Sequence, residues 1–61
     1  MNNSIIGQAY YNNELVQIID IVARKKVLHG VAVEYGEALI NYGGPVWVAI
    51  ADLDNVKWIA N

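Results

Sequence analysis

The chain reads as an all-β protein, five short strands closing into a small barrel, and three features of the sequence predict it. Valine and isoleucine together number 16 against 4 leucines, a bias toward side chains that are stiff at χ1 and fit a pleated surface better than a helix. Val46, Val48 and Ile50 alternate with Trp47, Ala49 and Ala51; Asp52 to Asn55 then supply turn-forming side chains, and the strand pattern resumes at Val56. Ile18 and Ile19 stand side by side, both apolar, as in a strand that bends and serves two parts of a sheet at once. Long bent strands of this kind close five-stranded barrels.

The strands are predicted over residues 5–11, 14–22, 27–35, 46–51 and 56–59. Asn12-Asn13 separates the first two as a tight hairpin, because asparagine tolerates positive φ better than most residues. Residues 14–28 also carry a helical signal. Glu14, Gln17, Asp20 and Arg24 recur at three- to four-residue spacing, Asn13 can cap the start, and Gly30 can end the segment behind Arg24, Lys25, Lys26 and His29. Against it stand Val16, Ile18, Ile19, Ile21, Val22 and Val27, β-branched residues that a helix disfavours. Strand is the expectation, and the alternative is an α+β fold with a helix over 14–28 packed on an antiparallel sheet. Ala23-Arg24-Lys25-Lys26 reads as a solvated turn. The third strand alternates cleanly, Val31, Val33 and Tyr35 against Gly30, Ala32 and Glu34. Gly36 to Pro45 reads as a loop delivering the fourth strand, since no lysine or helix follows Gly43-Gly44-Pro45 to make a phosphate cradle.

The chain has 61 residues, enough for one domain spanning 1–61, and each ordered residue costs about 1.5 kcal/mol of conformational entropy. Its hydrophobic content is 56%. A domain this small buries only about 60% of its unfolded surface, so part of the apolar surplus must stay exposed or be covered by another chain. Self-association or a permanent protein partner is therefore expected. No cysteine is present, which removes disulfides, thiolate nucleophiles and sulfur-ligated zinc. There is neither a basic, signal-like start nor an apolar run of about 18 residues, so no membrane association is expected and the cytoplasm is the default compartment. Net charge is −2; nucleic acid is not an expected partner, because only Arg24-Lys25-Lys26 clusters cations. Asn2-Asn3-Ser4 matches a glycosylation acceptor but reads as a polar terminus.

Three stretches carry a resemblance: Glu14-Leu15-Val16-Gln17-Ile18-Ile19-Asp20-Ile21, Val31-Ala32-Val33-Glu34-Tyr35-Gly36, and Val46-Trp47-Val48-Ala49-Ile50-Ala51-Asp52-Leu53. Together they resemble an SH3-like or Tudor-like small barrel. In those folds a strand ending in an Asp-Leu pair enters a short 3₁₀ turn before the last strand, and Asp52-Leu53 occupies the matching place. The resemblance spans about 45 residues and is one of fold and spacing; such barrels serve many unrelated functions. The acidic loop of the SH3 peptide-binding site is missing. What the resemblance implies is a binding module.

Residues for catalysis are sparse. His29 is the sole histidine and has no Ser, Cys or carboxylate at a recognisable spacing. Ser4 has no activating partner in view. Asp52 and Asp54, with Glu34 or Glu37, lack the length and glycine of a calcium loop. No enzyme activity, cofactor or metal is expected. The aromatic residues are the better lead. By strand parity Trp47 points away from the face that carries Val46, Val48 and Ile50, and an outward tryptophan on a small barrel is most readily explained by a partner that covers it. Tyr10, Tyr11 and Tyr42 are candidates for the same surface, with Glu34 and Glu37 favouring a cationic ligand group. The expected function is a non-enzymatic protein-interaction module, self-associating or docked on a larger assembly. The alternative is a small-ligand binder whose pocket lies between protomers.

Overall fold

A computed structural model describes residues 5–59, so Asn2-Asn3-Ser4 lies outside the described residues. Five strands form one antiparallel sheet: β1 (Gly7–Tyr11), β2 (Glu14–Leu28), β3 (Val31–Asn41), β4 (Pro45–Ala49) and β5 (Asp54–Trp58), with a 3₁₀ helix at Ile50–Asp52 between the last two. The strand order is β4-β3-β2-β1-β5. The protein is all-β, as its β-branched composition requires, and the α+β alternative is overturned because residues 14–28 form a single strand. The sheet does not close into a barrel: β4 and β5 are its two ends and are not hydrogen-bonded to each other.

Positive φ sets the hairpins. Asn12 and Asn13 (φ 50° and 63°) make the two-residue turn between β1 and β2, and His29 and Gly30 (φ 51° and 78°) make the next, the doubly positive geometry that matches strand twist. The turn predicted at Ala23–Lys26 is therefore absent. Arg24, Lys25 and Lys26 lie inside β2, opposite Tyr35, Glu34 and Val33, because strand backbone accommodates charge while the sharp reversal needs the positive φ that His29 and Gly30 hold. The segment from Gly36 onward is likewise strand and not loop; β3 continues to Asn41. Only Tyr42-Gly43-Gly44 remains as a connection, closed by Tyr42 N–H donating to the Gly44 carbonyl at 2.8 Å. The fourth strand ends at Ala49, two residues early, where the chain winds into the 3₁₀ helix. Leu53 N–H donates to the Ile50 carbonyl at 3.0 Å to complete that turn.

The bend falls where the paired isoleucines place it. Ile18 opposes Ile40, but Asp20 opposes Leu39, so Ile19 is the extra residue of a β-bulge that turns the strand. Asp20 Oδ1 accepts a hydrogen bond from the Ile21 N–H at 2.8 Å beside it. The bent sheet folds over a core of Ala9, Val16, Ile18, Ala38, Ile40, Val48 and Leu53, with Ile6, Tyr11, Tyr42, Ile50 and Val56 packed around it. Cross-strand pairs Ala9–Val16, Ile18–Ile40 and Ala38–Val48 put these side chains on one face. β1 covers β2 only to Ile18, and β4 covers β3 only from Glu37. Beyond them the two long strands project as a two-stranded arm. Its reach shows in the Cα radius of gyration, 12.7 Å, against about 10.5 Å for a compact chain of this length.

Candidate interaction surface

Trp47 is set by β4 and its register. Val48 faces the core at 8% exposure while Trp47, one residue earlier, faces out at 40%. Leu39 is its cross-strand partner. The Arg24 guanidinium lies over the indole, 5.6 Å from the ring centroid, and Arg24 Nε donates to Glu37 Oε1 at 2.9 Å. Further along the arm, Lys26 Nζ sits 4.8 Å from the Tyr35 ring centroid, and on the opposite face Lys25 Nζ is 3.7 Å from Glu34 Oε2. Exposed ion pairs of this kind add about 0–1 kcal/mol each, as do exposed cation–π contacts. Their effect is on shape: the cations hold Trp47 and Tyr35 against the outward face.

The remaining predicted residues divide. Tyr11 and Tyr42 meet edge to face, ring centroids 5.0 Å apart at 88°, beside the core; Asn12 Nδ2 donates to the Tyr42 hydroxyl at 3.4 Å. Tyr10 faces outward like Trp47, but from β1, with β2 and β3 between them. Glu37 lies beside Trp47, and Glu34 stands out on the arm. The structure thus brings together Trp47 with Glu37, and Tyr11 with Tyr42, while Tyr10 and Glu34 stand apart. Both carboxylates already face a cation of their own chain. Sequence reasoning missed Arg24, Lys26 and Tyr35 as neighbours of this surface. It also missed the exposed arm residues Val27, Leu28 and Val31, and the exposed Ile21 at the arm's base. The available signal was the cationic triplet set between β-branched residues, with glutamates downstream at matching spacing.

An open depression of about 400 Å³ lies where the arm leaves the body, between Ile21 and Ala23 of β2, Tyr35 and Gly36 of β3 and Ile50 of the 3₁₀ helix, with Glu34 also lining it. His29 occupies the exposed tip of the β2–β3 turn. Among the described residues no polar or charged side chain is buried, no three His, Cys, Asp or Glu residues gather as a metal site would require, and no helix is long and apolar enough to cross a membrane. The arrangement offers contact surface and shallow volume. No protein-family model matches the chain, and neither a curated protein nor a solved structure is significantly similar to it.

Proposed function

We propose that this chain is a non-enzymatic protein-interaction module, acting in the cytoplasm through its outward aromatic face and projecting arm. The observation that carries the reading is an inverted balance of apolar surface. Seven hydrophobic residues are buried, whereas eleven large apolar side chains are exposed among the described residues, Trp47 and Trp58 included. A tryptophan exposed on one face and held in place by a cation on a rigid strand is the type of residue that anchors contacts with a partner. The 3₁₀ helix before the last strand is the feature shared with the SH3-like binding modules that the sequence resembles. The test is light scattering on the eluting protein at several concentrations, alongside capture experiments in which the Trp47→Ala chain is the control. Association that the substitution weakens while the circular dichroism spectrum stays unchanged supports the reading. Equal association by a folded mutant removes Trp47 from it.

A second reading, a small-ligand binder with its pocket between protomers, draws support from the depression beside Ile50. Its volume falls within the about 300–1,000 Å³ of ligand sites, and a second protomer could close its open side. Thermal-shift screening against nucleotides, amines and methylated lysine peptides tests it, with stabilisation expected for a true ligand.

A further inference from the structure

We propose that two copies of this chain pair edge to edge through β4, antiparallel about Trp47, joining their sheets into one. The inference rests on the interaction-module reading: it names a second copy as the partner and the β4 edge as the place of contact. Four stretches of strand edge are open among the described residues: β2 beyond Ile18, β3 before Glu37, and the outer edges of β5 and β4. Natural sheets blunt such edges with charge and with bulges, because an unprotected edge is a template for another strand. Three of the four are blunted in this way. The open part of β2 carries Asp20, Arg24, Lys25 and Lys26, and that of β3 carries Glu34. β5 carries Asp54 and Lys57, and its register against β1 shifts beside Asn55, which holds φ 51°. β4 is Pro45-Val46-Trp47-Val48-Ala49, without a charge, and its register against β3 runs unbroken. Val46 and Trp47 on it are 38% and 40% exposed.

The backbone of this edge matches its own copy. Asn41 stands opposite Pro45, and one step further along the same register the Tyr42 N–H donates to the Gly44 carbonyl at 2.8 Å. Hydrogen-bonded pairs alternate along an antiparallel ladder, so Ile40–Val46 and Ala38–Val48 exchange bonds while Pro45, Trp47 and Ala49 aim their polar groups outward. Pro45 agrees, having no N–H to give β3. The strand is centred on Trp47, so a two-fold axis there overlaps it with its copy from end to end. Trp47 then exchanges two hydrogen bonds with the partner's Trp47, and in each direction the Ala49 N–H donates to the carbonyl of the partner's Pro45. Every outward N–H finds an acceptor.

Other axes serve this edge less well. An axis between residues would set outward groups against inward ones. At Val46 it leaves the Ala49 N–H unpaired, and at Val48 it sets Pro45 against the partner's Ala51, where the 3₁₀ helix has ended the strand. Side chains concur with the Trp47 axis, which makes one aromatic cross-strand pair and sets Val46 opposite the partner's Val48. Pairing β4 with another copy's β5 would instead bring Asp54 and Lys57 onto a neutral edge.

Sedimentation equilibrium on the full chain and on Ala49→Pro tests the pairing, with thermal unfolding by circular dichroism as the check on folding. Ala49 holds φ −65° and ψ 136°, a backbone that proline prefers, and its N–H points away from β3, so the substitution should leave the protomer intact. It removes two donors from the interface and should raise the dissociation constant of a reversible wild-type dimer by roughly fivefold to 150-fold. The chain has no cysteine, so disulfides can report the register. Val46→Cys and Val48→Cys chains, mixed and oxidised, should cross-link to each other, because facing residues of a non-hydrogen-bonded pair lie about 4.5 Å apart at Cα. Neither should cross-link to itself. Wild-type monomer at every concentration, a dimer indifferent to a folded Ala49→Pro, assemblies larger than two, or self-linking of Val46→Cys overturns the pairing. If Ala49→Pro lowers the unfolding midpoint, the cysteine mixture decides. If Trp47→Ala weakens association that Ala49→Pro leaves intact, the β4 pairing falls while the interaction-module reading survives; a monomer that also captures nothing overturns both.

Discussion

A β-carbon added at Gly7 would lie 2.9 Å from the Lys57 carbonyl oxygen and equally close to the Trp58 ring, whereas one added at Gly36 would meet only the Ile50 Cδ1 at that distance. The difference is one of compliance. A backbone carbonyl in the β1–β5 ladder can retreat only by parting the strands, while an isoleucine tip can swing into the open depression beside it. Gly7→Ala should therefore cost about 1–3 kcal/mol, a fall of several degrees or more in the unfolding midpoint of so short a chain. Gly36→Ala should cost clearly less, and thermal unfolding followed by circular dichroism separates the two. Equal losses would mean that Ile50 is pinned. His29 holds φ 51° without the local side-chain bonding that eases asparagine into that region. His29→Asn should raise stability by about 0.5 kcal/mol, and a loss would show that the imidazole makes a contact of its own.

At the scale of the element, β2 explains both what the sequence disclosed and what it hid. Adjacent Ile18 and Ile19 announced the bend, since no regular strand turns two neighbouring apolar side chains to one core. The same bulge produced the false helical signal: inserting Ile19 shifts the parity, so Gln17 before it and Asp20 and Arg24 after it all face outward, at spacings of three and four that imitate a helix. Trp47 was legible because its strand alternates without interruption. The Arg24–Glu37 pair was not, because it exists only once the register of two distant segments is known, and Tyr11 against Tyr42 depends on the closing of the Gly43-Gly44 loop. The cationic triplet misled for a simpler reason: charge speaks to solvation, and a solvated strand edge satisfies it as well as a turn. The bulge also predicts where sensitivity ends. Ile18, fully buried before it, should lose about 2–5 kcal/mol as Ile18→Ala, while Val27→Ala on the exposed arm should cost no more than about 1 kcal/mol. Urea titration measures both; a comparable loss at Val27 would show that the arm packs against something in the folded chain.

For the whole molecule, the core and the arm are separable. Every buried hydrophobic residue, Ala9, Val16, Ile18, Ala38, Ile40, Val48 and Leu53, lies outside residues 22–37, so the body should fold without the arm. Removing residues 25–34 and joining Arg24 to Tyr35 through Asn-Gly keeps a registered pair at the base and supplies the turn that a two-residue hairpin demands. The side-chain contacts sacrificed are the exposed Lys25–Glu34 pair and the Lys26–Tyr35 stack, each worth about 1 kcal/mol or less, and with them go the Lys26–Val33, Val27–Ala32 and Leu28–Val31 pairs of a two-stranded ribbon that is marginal by itself. The shortened chain should therefore unfold within a few degrees of the parent, retain the Arg24–Trp47 contact and, with β4 untouched, keep the parent's association state by light scattering. Its behaviour separates two origins for the apolar surplus. If the arm's share of the surplus serves a partner, shortening removes that contact and leaves the fold standing. If the midpoint collapses, the arm stabilises the body from outside its core, and its exposed valines belong to folding before they belong to a partner.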